Sequence, residues 1–90
     1  MAAERRSIVF HGRVQGVGFR YRAKYLASAL GLTGWVKNEY GGTVSMEVQG
    51  DSRMIDRMLV QINTGSYIQI DWIDSRMIPL EDERSFKVWY

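Results

Sequence analysis

A glycine-bearing loop followed at once by an arginine is the part of this sequence best suited to hold an anion. Gly16 and Gly18 lie in residues 15–18, after an alternating strand pattern, and Arg20 lies in the first turn of a predicted helix. Main-chain N–H groups at a helix start are unpaired and carry about half a positive charge. Glycines let such a backbone curve around an anion, and a guanidinium adds donors for two phosphate oxygens. The pattern is typical of a phosphate cradle.

Residue types alone leave two interpretations open, both at this loop and at Asn38. The spacing of Gly12, Gly16 and Gly18 fits neither the GxGxxG nor the GxxxxGK[ST] motif. A tight connection would also use glycines here. Asn38 comes just before a predicted turn, where an asparagine often bonds its own backbone. Its carboxamide could instead hold a water molecule by donating and accepting at once.

Other ionisable groups are weaker candidates for chemistry. His11 alternates onto the strand face that we expect in solvent, which favours an exposed structural role over that of a general base. The acidic clusters at Asp71, Asp74 and residues 81–83 are expected to be solvated charge. Because no two fixed carboxylates lie near the loop, the sequence does not support a magnesium site.

Composition excludes several classes of protein. With 90 residues, 46% hydrophobic and 24% charged, we expect one globular domain over residues 1–90. The absence of cysteine and the single histidine exclude disulfide scaffolds, thiol nucleophiles, iron–sulfur clusters and sites with two imidazoles. No apolar run is long enough to span a membrane, and residues 1–6 carry charges where a signal peptide is apolar. We therefore expect a cytoplasmic protein.

Hydrophobic periodicity predicts five strands and two helices. The predicted strands cover residues 7–14, 34–38, 43–49, 68–72 and 86–90. The first helix begins near Phe19 and stops at Gly31, and the second is capped by Asp51 or Ser52 and stops at Gly65. Ile68, Ile70 and Trp72 are expected on one side of the fourth strand, and Phe86, Val88 and Tyr90 on one side of the last.

This order of elements predicts an α+β fold, the ferredoxin-like two-layer sandwich. Two helices should cover one face of a mainly antiparallel sheet, because each helix carries an apolar stripe on one side only. The other face of the sheet should lie in solvent.

Two stretches of the chain resemble the signatures of the acylphosphatase family. Residues 12–20 (GRVQGVGFR) resemble the first, and residues 34–38 (GWVKN), followed by residues 42–44 (GTV) and Gly50, resemble the second. The final Phe-x-Val-x-Tyr pattern fits as well. The resemblance covers nearly the whole chain, and two long signatures in the right order make it specific. The departures are small, with Phe10 where an aliphatic residue is more usual and Gly18 at a variable position.

The resemblance implies the ferredoxin-like fold and an enzyme, an acylphosphate phosphohydrolase. Such enzymes hydrolyse the carboxyl–phosphate bond of acyl phosphates without a cofactor, a metal or a phosphoenzyme. The Arg20 guanidinium would bind the phosphate, and the Asn38 side chain would orient the attacking water. The loop amides implied in phosphate binding belong to Gln15, Gly16, Val17, Gly18, Phe19 and Arg20.

The expected partners are a small-molecule acyl phosphate, and inorganic phosphate or sulfate as product or inhibitor. We expect a monomer, with no nucleic acid and no membrane as partner. One alternative is a single-stranded RNA-binding module, because the same sandwich hosts RNA readers, although residues 13–21 do not fit the RNP1 pattern. A carbamoyl phosphate domain of a larger maturation protein is disfavoured by the end of the chain at Tyr90. A binding-only relic is a minor alternative, since Arg20 and Asn38 are both present.

Overall fold

The order of strands and helices is the one that the hydrophobic pattern predicts. A computed structural model describes residues 2–64 and 67–90. The elements are β1 (Ala3–Arg13), α1 (Phe19–Ala29), β2 (Thr33–Asn38), β3 (Val44–Asp51), α2 (Ser52–Ile62), β4 (Gln69–Ile78) and β5 (Phe86–Trp89). Each helix has 11 residues, and no helix in the described part of the chain is long and apolar enough to cross a membrane.

The five strands form one sheet in the order β4-β1-β3-β2-β5. The pairs β1–β3, β1–β4 and β2–β3 are antiparallel, and β2–β5 is parallel. Both helices bury their apolar stripes against one face, so the α+β ferredoxin-like sandwich is confirmed. The buried side chains at the centre of this layer are Ile8, Phe10, Phe19, Ala23, Val36, Met46, Ile55 and Met58.

The helix ends follow the predicted local chemistry where the structure describes them. Gly31 has a φ of 72°, and the N–H of Leu32 donates to the Ala27 carbonyl at 2.8 Å, which closes α1 and buries Leu32. The Asp51 side chain accepts from the Arg53 N–H at 2.9 Å and caps α2. The predicted stop at Gly65 lies outside the described residues.

The first strand starts earlier than predicted, because the charged residues before Ser7 also pair with β3. The alternation predicts a strand over residues 7–14, whereas β1 begins at Ala3 and includes the fully buried Arg5. Register places Arg5 opposite Gln49, on the sheet face away from the helices. The expectation that this whole face lies in solvent is therefore wrong.

Arg5 is buried because carboxylates surround its guanidinium. Glu47 lies 2.9 Å away and Glu83 2.7 Å away, while Glu81 lies at 3.6 Å. The hydrogen bond to Glu83 raises the pKa of Arg5 above its ordinary value, with a further contribution from Glu47. The expectation that residues 81–83 are only solvated charge is wrong for Glu83, whose ion pair holds the connection before β5 against the open face. The Glu81 side chain is 61% exposed, as expected.

A β-bulge reverses the predicted alternation in β4. His11 pairs with Trp72, but Gly12 pairs with Ile70, so Asp71 has no partner in the ladder. The extra residue moves Trp72 to the open face, where its ring stacks on His11 at a centroid distance of 4.3 Å. The prediction that Trp72 shares a side with Ile70 is therefore wrong.

Arg5→Ala should lower the free energy of unfolding by about 3 kcal/mol, since it leaves Glu47 and Glu83 clustered without their cation. This value is at the low end for a broken buried pair, because both carboxylates keep some solvent contact. The matched control is Arg57→Ala, which removes an exposed cation of α2 and should change the value by less than about 0.5 kcal/mol. Urea unfolding followed by tryptophan fluorescence gives both numbers, and equal stability of the two variants would contradict the role of Arg5.

Candidate functional site

The start of α1 and the end of β2 meet at one end of the sheet. Asn38 is the last residue of β2, two positions after the fully buried Val36. Because alternate residues of a strand share a face, Asn38 lies on the helix-covered side. The loop between β1 and α1 lies above it, so the fold brings together the two segments that the sequence singled out.

These segments enclose a cavity of about 110 Å³. Its lining residues are Val14, Gly16, Gly18, Phe19, Arg20, Tyr21 and Asn38. Of the predicted site residues, Gln15 and Val17 do not line the cavity, and Val17 packs against the core instead. Val14 and Tyr21 are additions that the sequence reasoning missed. The available signal for Tyr21 was its position directly after Arg20.

The loop backbone leaves its donors open. Gly16 and Gly18 have φ values of 72° and 79°, a left-handed conformation that strains other residues. A Cβ built on either glycine would meet no atom within 4 Å, so the space beside both is open. Within residues 2–64 and 67–90, the main-chain N–H groups of residues 15–18 donate no hydrogen bond. Of these residues, Gly16 and Gly18 line the cavity.

The first turn of α1 concentrates positive charge. Gly18 is the N-cap and supplies no side-chain cap, and the first turn holds Arg20 but no acidic residue. This is the reverse of the usual preference for carboxylates at the positive end of a helix. Among the described residues, Arg20 has no ion-pair partner within 4.0 Å. A local rule broken in this way is typical of a functional site, and the missing counter-charge is that of an anion.

Neutral groups from the last strand hold the Arg20 side chain. Its Nη1 donates to the Trp89 carbonyl oxygen at 2.9 Å, and its guanidinium carbon lies 5.0 Å from the centroid of the Tyr90 ring. The prediction that Tyr90 continues the apolar side of the last strand is wrong, since β5 ends at Trp89 and Tyr90 is exposed. The hydrogen bond alone joins residues 69 positions apart, which sequence reasoning could not pair.

A second tyrosine is hydrogen-bonded to Tyr90. The hydroxyl groups of Tyr21 and Tyr90 lie 2.9 Å apart. This hydrogen bond raises the pKa of Tyr90 above its ordinary value, and the nearby charge of Arg20 opposes the shift more weakly. The Tyr90 phenol is therefore neutral near pH 7, and the pair places two aromatic rings beside Arg20.

Asn38 has an unpartnered oxygen on its side chain. Its Oδ1 is buried and has no hydrogen-bond partner among the described residues. Leaving such an atom unpaired costs about 1–3 kcal/mol, so it needs a ligand or a solvent molecule. The turn after β2 is closed instead by the Glu39 N–H, which donates to the Thr43 carbonyl at 2.9 Å. The backbone therefore closes this turn without the Asn38 Oδ1, which is left for another partner.

Gln15 links the loop to that turn. Its Nε2 donates to the Glu39 carbonyl at 2.7 Å and to the Thr43 carbonyl at 2.8 Å. Glu39 directly follows Asn38 in the chain, so these bonds hold the loop and the end of β2 at a defined separation.

The other titratable candidates lie away from the cavity. His11 is on the open face, on the other side of the sheet, and its Nε2 is 2.9 Å from Asp74. It is half-buried between Asp74 and Trp72, rather than exposed as expected. The described residues contain no group of three or more His, Asp or Glu side chains arranged to hold a metal ion.

Comparisons with known proteins agree with this arrangement. A model of the acylphosphatase family matches residues 6–88. A protein of Clostridium acetobutylicum named acylphosphatase is 43% identical over 89 residues, which cover 97% of this chain and 98% of that relative. The crystal structure of acylphosphatase from Bacillus subtilis superposes with a TM-score of 0.90 at 30% identity, covering 99% of this chain and all of the other.

A similar fold also occurs within a much larger protein. Full-length HypF, in its phosphate- and nucleotide-bound form, contains a region that superposes with a TM-score of 0.89 at 31% identity. That region covers 99% of this chain but only 12% of HypF.

Gln15→Leu should lower the free energy of unfolding by about 1–3 kcal/mol, because two hydrogen bonds are lost at about 0.5–1.5 kcal/mol each. Gln61→Leu, on the exposed side of α2, is the matched control and should change the free energy of unfolding by less than about 0.5 kcal/mol. Urea denaturation measures both. If the two variants were equally stable, the link between loop and turn would contribute nothing.

Proposed function

Because the chain belongs to the acylphosphatase family of enzymes, we propose that its cavity binds the phosphate group of an acyl phosphate and that a water molecule oriented by Asn38 cleaves the carboxyl–phosphate bond. The observation that carries this mechanism is that Arg20 and Asn38 line one cavity of about 110 Å³ at the start of α1. Family membership supports acyl phosphate hydrolysis as the reaction. The roles of individual residues are our proposal.

The first step is the capture of the phosphate dianion. The open main-chain N–H groups of residues 15–18 and the N-terminus of α1 provide neutral donors. Arg20 provides a charge without a carboxylate partner among the described residues, and its planar guanidinium can bind two phosphate oxygens. Inorganic phosphate and sulfate present the same oxygens and should bind as product and inhibitor.

The second step is attack by water on phosphorus. The Asn38 Oδ1 accepts a hydrogen bond from the water, which fixes the position of its lone pair. A bond forms between the water oxygen and phosphorus, and the bond from phosphorus to the acyl oxygen breaks. The electron pair leaves with the carboxylate, and a phosphate oxygen takes the proton, so the products are a carboxylate and inorganic phosphate.

This reaction needs few groups because the leaving group is good. A carboxylic acid has a pKa near that of glutamic acid, about 4.3, so the carboxylate departs without protonation. Arg20 and the loop amides stabilise the charge on the equatorial oxygens, which is most of what phosphoryl transfer demands. In this mechanism no metal and no phosphoenzyme take part. The same groups would not suffice for a phosphate monoester, whose alkoxide leaves poorly.

The proposal also covers the domain organisation, location, oligomeric state and partners of the enzyme. Residues 1–90 act as one domain, the protein is a cytoplasmic monomer, and nucleic acid is not its partner. RNA binding without catalysis has less support, because Glu47 and Glu83 neutralise Arg5 on the open sheet face and residues 13–21 do not fit the RNP1 pattern.

Asn38→Ala should lower kcat by about 10²–10³-fold with little change in KM, since its role is to orient the water. Arg20→Ala should lower kcat/KM further, because binding and charge stabilisation are both lost. Benzoyl phosphate hydrolysis measures these values, and circular dichroism checks the fold. Asn63→Ala and Arg57→Ala, which change residues that do not line the cavity, are matched controls. A folded Asn38→Ala variant with wild-type turnover would refute the water-orienting role.

Hydrolysis should persist in excess EDTA, because amides and a guanidinium supply all the stabilising charge. Inorganic phosphate should inhibit competitively against benzoyl phosphate, since both bind the same donors. Initial rates with and without EDTA, at several phosphate concentrations, test both points. Loss of activity in EDTA that returns with added Mg²⁺ would contradict the metal-free mechanism.

A further inference from the structure

The mouth of the phosphate cavity has an aromatic rim, formed by Tyr21 and Tyr90. Tyr21 lines the cavity, yet it is 63% exposed, and its hydroxyl partner Tyr90 is 86% exposed. Isolated tyrosines on a surface need no explanation. Two large rings joined to each other beside an anion-binding arginine form a surface placed where a ligand leaves the cavity.

The rim is held in position by contacts with the site itself. The hydroxyls of Tyr21 and Tyr90 are 2.9 Å apart, and the Tyr90 ring lies 5.0 Å from the Arg20 guanidinium. Arg20 in turn donates to the Trp89 carbonyl at 2.9 Å. A ring ordered before binding loses little further freedom when a ligand packs on it, which favours binding.

The size of the cavity determines which part of the substrate lies beside the aromatic rim. The cavity of about 110 Å³ is small beside the pockets of roughly 300–1,000 Å³ that enclose whole drug-sized ligands. It therefore suits the phosphate group alone and leaves the attached acyl group towards its mouth. Tyr21 spans the boundary between the cavity and solvent, and it therefore borders the path of the acyl group.

We propose that the Tyr21 ring is a specificity-determining contact that makes this enzyme prefer acyl phosphates with an aromatic or bulky apolar acyl group over those with a small one. This inference rests on the proposed function. An acyl ring packed on Tyr21 gains dispersion and an aromatic contact, whereas an acetyl group is too small to cover the ring. Phosphate capture itself does not use this contact.

The test is the ratio of kcat/KM for benzoyl phosphate to that for acetyl phosphate. Comparing the ratio between variants cancels the intrinsic reactivity of the two substrates. Tyr21→Ala should lower the ratio by about 10-fold, the size of one well-placed apolar contact. Tyr21→Phe keeps the ring but loses the hydroxyl bond to Tyr90, so its ratio should stay within about 3-fold of the wild type and well above that of Tyr21→Ala. Tyr25→Ala removes an exposed ring of the same helix that does not line the cavity, and it should leave the ratio unchanged.

An unchanged ratio in an active, folded Tyr21→Ala variant would overturn the proposal and leave acyl phosphate hydrolysis intact. A wild-type protein that hydrolyses neither substrate would overturn the proposed function, and this inference with it. Calorimetric binding of phenylphosphonate and methylphosphonate gives a readout that does not require turnover. The wild-type protein should bind phenylphosphonate more tightly than methylphosphonate, and Tyr21→Ala should reduce this ratio of affinities about 10-fold. Equal affinity of the wild-type protein for the two phosphonates would also contradict the proposed role of Tyr21.

Discussion

Uncompensated positive charge at the first turn of α1 is the constraint on which the site depends. Gly18 begins the helix without a side-chain cap, and Arg20 occupies the turn where a carboxylate would be more stable. The structure holds this arrangement through the rest of the helix, because Phe19 and Ala23 are buried in the core. The stability of the two-layer sandwich thus supports a local arrangement that an isolated helix would disfavour, and the result is a site ready for an anion.

The sheet separates the site from the other polar groups of the molecule. Asn38 lies on the helix-covered face, whereas Arg5 and His11 lie on the open one. Arg5 is neutralised by Glu47 and Glu83, and this ion cluster holds the last connection against the sheet. The charge of Arg5 is therefore satisfied within the protein, while that of Arg20 is left for a ligand. Two arginines of one small domain serve stability and binding separately because they lie on opposite faces.

The last strand completes the site from outside the two signature segments. Trp89 accepts a hydrogen bond from Arg20 through its main chain, and Tyr90 packs on the same guanidinium and bonds to Tyr21. Both contacts position a cation without neutralising it, which leaves its charge available to the phosphate in the proposed mechanism. They also order the aromatic rings at the mouth of the cavity. In the proposed mechanism, phosphate binding and selection of the acyl group are thereby connected through one side chain.

The sequence alone determined the fold class and the order of elements, and it singled out the loop with Arg20 and, separately, Asn38, because hydrophobic periodicity, helix caps and the two signatures are local properties. That Arg20 and Asn38 line one cavity was decided by the tertiary structure. Tertiary structure decided what depends on pairing between distant residues. A bulge at Asp71 turned Trp72 to the open face, and carboxylates 42 and 78 positions away buried Arg5. Tyr90 left its predicted side to pack on Arg20. Such contacts follow from register and chain crossing, which a local pattern does not encode.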